Sequence, residues 1–168
     1  MATTYTLIMP AVVVGSGGAT DITFSSIPAT YTDLVVKLSG RSTGSSIGVI
    51  LKPNGSTSSI STKNLEGNGS SAISYSSTNI LGYMPPSTAT ASTFGNLEIY
   101  IPNYAGSSYK SVSCDAVNET NATTAYSVLT AWLWSNTSAI TSLTLASDGA
   151  GNNFAQYSTA YLYGVSNA

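Results

Sequence analysis

The sequence has no histidine, a single cysteine (Cys114), and only 7% charged residues in a chain of 168. Soluble domains usually carry about 25%. Each shortage closes off a class of chemistry. Triads and metal sites that depend on imidazole have nothing to build on. One thiol cannot make a disulfide framework. The five cations are Lys37, Arg41, Lys52, Lys63 and Lys110. They are too few and too scattered to neutralise a phosphate backbone, which argues against a nucleic-acid partner. The seven acids are Asp21, Asp33, Glu66, Glu98, Asp115, Glu119 and Asp148, giving a net charge of -2. Long apolar runs are missing as well. The stretch 7–14 is interrupted by Pro10 and falls far short of the roughly 20 residues a spanning helix needs. No positive n-region precedes an apolar run, because the first cation is Lys37. No membrane partner is expected, and synthesis in a cytoplasm is.

What the chain has in quantity is hydroxyl groups: 29 serines and 22 threonines. It is also 42% hydrophobic and has 11 tyrosines. Disordered chains are poor in apolar and aromatic residues, so a folded domain is expected, coated by hydroxyls and amides rather than charge. The length fits one domain over 1–168, and a domain near this size hides roughly 68–70% of its unfolded surface. Five Asn-x-Ser/Thr sequons occur, at Asn54, Asn68, Asn118, Asn121 and Asn136. Chance supplies sequons readily in so Ser/Thr-rich a chain, and no glycosylation is inferred.

The apolar pattern has period two. Leu34, Val36 and Leu38 share one face of a strand, and Leu97, Ile99 and Ile101 repeat this with Glu98 and Tyr100 opposite. Residues 128–134 are apolar on both faces: Leu129, Ala131 and Leu133 on one, Val128, Trp132 and Trp134 on the other. Such a strand is either covered on both sides or meets a partner with its outer face. Leu143 with Leu145, and Tyr161 with Tyr163, mark two more strands. Turn formers separate these runs at 15–18, 44–46, 54–55, 67–71, 85–86, 106–108 and 148–153. Asn54-Gly55 is a strong two-residue hairpin signal. Ile27-Pro28 fits a turn delivering the chain into the strand from Leu34. Gly164 beside Tyr163 suggests a bulge or a close approach. Residues 116–125 have room for one helical turn. The expected fold is all-β: a single antiparallel sandwich or barrel of about 8–10 strands. The low-complexity stretches 58–62, 70–78 and 87–93 are either solvated loops and edge strands or a loop surface used for contact.

Candidate chemistry is sparse. Asp115, Glu119 and Glu98 are the nearest approach to a carboxylate pair, but seven acids in a β fold often place two that close by accident, and solvated or hydrogen-bonded surface acids are the expected reading. Cys114 lies near Lys110, but no histidine exists to act as its base, so a buried structural thiol is expected. The loop 148–152 has oxygen ligands and glycines without the carboxylates of a calcium loop. Residues 15–18 lack the Gly-Lys-Ser/Thr of a phosphate loop. No catalytic, cofactor-binding or metal-binding residues are expected, and no enzymatic activity. The aromatics offer more. Tyr75, Tyr83, Tyr100, Tyr104, Tyr109, Tyr126 and Tyr157 lie in polar contexts, where core packing, a protein interface and a glycan platform are all open. Tyr75, Tyr83, Tyr100, Tyr104 and Tyr109, with Trp132 and Trp134, are the interface candidates.

Three strings are distinctive: Phe24-Ser25-Ser26-Ile27-Pro28-Ala29-Thr30-Tyr31-Thr32-Asp33-Leu34; Thr137-Ser138-Ala139-Ile140-Thr141-Ser142-Leu143; and Asn153-Phe154-Ala155-Gln156-Tyr157-Ser158, running on to Leu162-Tyr163-Gly164-Val165. They resemble small Ser/Thr/Gly-rich virion structural proteins of tailed bacteriophages, of the aquatic and cyanobacterial phage type. The resemblance is weakest over 42–93. It implies a jelly-roll-like β-sandwich on the virion surface and supplies no catalytic residues. The expected role is a capsid decoration or cement protein docked outside the head, forming a homotrimer and contacting the major capsid protein or other virion proteins. The alternative is a tail-fibre or receptor-binding domain that reads host glycans.

Overall fold

The computed structural model describes residues 5–45, 47–121 and 125–166. Among these residues there is no helix, and thirteen strands pair antiparallel in two sheets. They are β1 (Tyr5–Leu7), β2 (Val12–Val13), β3 (Asp21–Phe24), β4 (Asp33–Gly40), β5 (Gly48–Pro53), β6 (Ile60–Gly67), β7 (Ala72–Tyr75), β8 (Ile80–Tyr83), β9 (Gly95–Ile101), β10 (Lys110–Asn118), β11 (Tyr126–Trp134), β12 (Leu143–Ser147) and β13 (Thr159–Val165). The count exceeds the expected 8–10 because β1, β2, β7 and β8 are only two to four residues long. Strands that short carry too few alternations to register in the sequence. Of the expected helical turn at 116–125, residues 116–118 belong to β10 and 122–124 lie outside the described residues.

The large sheet runs β1-β13-β4-β9-β10-β11-β6-β7, with β2 also paired to β13. The small sheet runs β3-β12-β5-β8. Alternation puts Leu34, Val36, Leu38, Leu97, Ile99 and Ile101 into the core, opposite Phe24, Leu51, Leu143 and Leu145. Between β6, β11 and the strand β8 the interior carries a polar network that crosses from one sheet to the other. Asn64 Nδ2 donates to Thr130 Oγ1 at 2.8 Å, and Thr130 Oγ1 donates to Leu81 O at 2.6 Å. Trp132 Nε1 donates to Asn79 Oδ1 at 2.6 Å. Such a network fixes how the two sheets sit on each other, since each broken bond strands a buried polar group. At Gly82 the two sheets approach so closely that a Cβ would strike Ala116.

Two local expectations resolve differently. Asn54 and Gly55 both have positive φ (50° and 74°), and Ser56 N–H bonds Pro53 C=O at 2.8 Å, as in a type I′ turn. Yet the turn does not close a hairpin, because β5 and β6 belong to different sheets. Its Asn54 side chain is used instead to tie down 139–142, accepting from the Thr141 and Ser142 N–H groups and donating to Ala139 C=O. At Gly164 the β13–β4 register runs unbroken, so there is no bulge. The other expectation, a close approach, is met: the Tyr31 ring packs where a Cβ would be.

Candidate functional site

A nine-stranded sheet cannot be covered by a four-stranded one on both faces, and one face of the large sheet is open. Cross-strand register reads off its side chains in rows. One row is Leu65, Leu129, Asp115, Glu98, Lys37 and Tyr161. The next is Lys63, Ala131, Ser113, Tyr100, Val35 and Tyr163, ending at Leu7. The face therefore has two halves. On β6 and β11, Leu65 and Leu129 stand directly opposite each other and are 53% and 55% exposed. With Ala131, Tyr100, Pro102, Ser111 and Ser113 they line a shallow basin of about 620 Å³.

The other half is aromatic. On β13, Tyr161 and Tyr163 lie two residues apart with ring centroids 6.4 Å apart and planes 23° from parallel. Tyr5 meets Tyr163 edge-on, at 6.4 Å and 71°. Val35 points to this open face yet is fully buried, flanked across the strands by Tyr100 and Tyr163. Charge here is arranged in pairs. Lys37 Nζ lies 2.9 Å from Glu98 Oε2, and the hydrogen bond to that carboxylate raises the Lys37 pKa. Tyr100 O–H donates to Asp33 Oδ2 at 2.8 Å, and this bond raises its phenol pKa. Asp115 stands directly across from Glu98, so two carboxylates neighbour one ammonium.

Of the seven interface candidates, Tyr100 is on this face, and Tyr109 is 59% exposed just before β10. Tyr104, Trp132 and Trp134 are in the core, which corrects their assignment to a surface. The physical reason is volume: these are the largest side chains available to fill the space between the sheets, and β11 turns its indoles inward and its leucines outward. Tyr104 O–H donates to Pro28 C=O, locking the entry to β4. Tyr75 and Tyr83 are half-buried and occupied. Their hydroxyls are 2.6 Å apart, Tyr75 also donates to Glu66 Oε2 at 2.8 Å, and Tyr83 packs edge-on against Tyr126. Burial raises both phenol pKa values. The residues missed were Tyr5, Tyr161, Tyr163, Leu65 and Leu129. The Tyr161/Tyr163 alternation was the available signal; it marked a strand but not which way the strand faced.

The candidate chemistry does not assemble. Asp115 lies mid-strand on the open face, whereas Glu119 lies beyond β10 with Oε1 accepting from the Asn121 N–H at 2.6 Å. Cys114 is buried on the inner face of β10, and burial pushes its thiol pKa well up, away from a reactive thiolate. Lys110 is fully buried, its ammonium donating to Gly106 O at 2.8 Å and Ser108 O at 2.5 Å. Among the described residues no three His, Cys, Asp or Glu side chains come together as a metal-holding group.

No family model matches the chain, and no curated protein matches it. The open face must therefore be judged by its own chemistry. It offers apolar and aromatic contact area with hydroxyl and amide groups interspersed.

Proposed function

We propose that the chain is a non-enzymatic structural protein of a bacteriophage particle, a decoration or cement protein that docks on the outside of the head. The observation that carries the docking role is the uncovered face of the large sheet, where Leu65 and Leu129 on adjacent strands are each more than half exposed. Contiguous exposed apolar surface on a folded domain marks a contact site. The phage assignment rests on the resemblance of the strings 24–34, 137–143 and 153–165, and the jelly-roll form belongs to the same proposal. A near-neutral coat suits dense packing of many copies, because strong like charge would repel. Self-association into a trimer has a candidate edge in β7, which is uncharged and, among the described residues, pairs with β6 alone. Edge strands without charge lack the usual deterrent to pairing. The alternative, a tail-fibre or receptor-binding domain, is favoured by the tyrosine half of the face.

Locating the protein in a low-resolution map of the particle tests this. Density on the head at the capsomer surface is expected; density restricted to the tail tip favours the alternative. Because the contact is apolar, retention on particles should change little between about 0.05 and 0.5 M NaCl. Release by moderate salt alone would mean that charge, not burial, holds the protein.

A further inference from the structure

The depression at the aromatic end of the open face is about 330 Å³, at the small end of the roughly 300–1,000 Å³ of ligand pockets. Its polar and aromatic lining is Lys37, Ser39, Asn96, Glu98, Tyr161 and Tyr163, with Leu38 and Leu97 between them. Register sets their spacing. Ser39 stands opposite Asn96, and two residues along, Lys37 stands opposite Glu98. Neighbouring strands lie about 4.8 Å apart and two residues rise about 6.8 Å. Four polar side chains thus mark the corners of a patch comparable to one pyranose ring. Tyr161 lies next to Lys37 on the adjoining strand, so an aromatic ring borders that patch. The side chains of Ser39, Asn96, Tyr161 and Tyr163 make no hydrogen bond to another described residue, leaving their donors and acceptors unclaimed.

We propose that this depression is a saccharide-binding site that takes a neutral hexose unit of a polysaccharide. An apolar ligand would strip water from Asn96, Ser39, Lys37 and Glu98 and return no hydrogen bonds, which is costly. A sugar returns them. An amide, a carboxylate and an ammonium side by side can engage adjacent hydroxyls as both donors and acceptors, while the C–H face of the ring lies against tyrosine. The charge balance selects against acidic sugars. Lys37 is already paired with Glu98, and Asp115 across the strand from Glu98 leaves the neighbourhood net negative. The inference depends on the tyrosine half of the face and holds for either location on a particle.

Native-gel affinity electrophoresis of the full chain tests it, with dextran, laminarin, hydroxyethylcellulose and galactomannan as neutral probes and alginate as the acidic one. At least one neutral polysaccharide should retard the protein. Tyr161→Ala and Asn96→Ala should each weaken that retardation about tenfold, and Thr57→Ala, at an exposed loop residue outside the depression, should leave it unchanged. Asn96→Ala keeps the strand pairing intact, so it decides the matter should Tyr161→Ala disturb the fold. Retardation by none of the neutral probes, retardation by alginate alone, or undiminished binding by the Asn96 variant would each overturn the site. None of these outcomes bears on where the protein lies in a particle map.

Discussion

Two cations in this charge-poor chain are held by backbone carbonyls rather than by carboxylates. Arg41 donates from Nη1 to Thr90 O, Thr93 O and Thr93 Oγ1, and from Nη2 to Ser87 O and Ala89 O, all within 2.9–3.2 Å. A Ser/Thr-rich loop that reads as formless in sequence is thereby wrapped around one guanidinium. Lysine offers no planar fork to serve five acceptors. Arg41→Lys should therefore cost about 1–2 kcal/mol and speed cleavage within 87–93 by a broad-specificity protease. Unchanged cleavage would mean that the loop is held by other contacts. Lys110 is the harder case, since its ammonium is fully buried and burial lowers its pKa. Lys110→Met fills the space but strands the Gly106 and Ser108 carbonyls. Urea titration should show a loss of about 1.5–3 kcal/mol; a neutral result would mean that water replaces the ammonium.

Strand β11 is where sequence and structure part most instructively. Both of its faces are apolar, and the inward one is Val128, Thr130, Trp132 and Trp134. Trp132→Ala should destabilise by about 3–5 kcal/mol, the usual cost of deleting a large buried aromatic. Leu129→Thr, on the open face, should change stability by no more than about 0.5 kcal/mol while weakening attachment to the particle. Thermal melts of the two variants separate the faces, and equal losses would mean that the open face is covered in the free protein. β4 and β9 were legible, because Leu34, Val36 and Leu38, like Leu97, Ile99 and Ile101, face polar or mixed residues across the strand. β11 was legible as a strand but not in its orientation, because nothing in a two-faced apolar run says which face the second sheet will cover. For the same reason Tyr104 passed for a surface residue. Its partner, Pro28 C=O, lies 76 positions away, and only the fold brings them together. The Asn54-Gly55 turn was legible in type but not in use, since turn chemistry is local and sheet membership is not.

The molecule as a whole stores its ionisable groups in forms that alkali disturbs. Burial raises the pKa of Tyr75, Tyr83, Tyr104 and Cys114, and the bond to Asp33 raises that of Tyr100. Each of these acids is held neutral in the fold above the pH at which the unfolded chain gives up its proton, ordinarily near 10 for tyrosine and 9 for cysteine. Below those values their contribution to stability is fully present. As pH rises past them, the unfolded state ionises first and binds fewer protons, so stability falls. Lys37 acts in the same direction, its pKa raised by Glu98. Lys110 opposes them: its lowered pKa means that the folded state sheds a proton before the unfolded one does, which adds stability as pH approaches 10.5. Five acids and one ammonium against a single opposing lysine should leave a net decline. Urea midpoints should therefore hold steady up to about pH 9 and drop between about pH 10 and 11. Part of the tyrosinate absorbance should rise in a steep step coincident with unfolding, because the buried phenols ionise only once released. Tyr75→Phe should flatten the decline by removing one such phenol. A midpoint that stayed level to pH 11, or a tyrosinate signal with no step at unfolding, would mean that these hydroxyls are freely solvated and the polar interior looser than the structure has it.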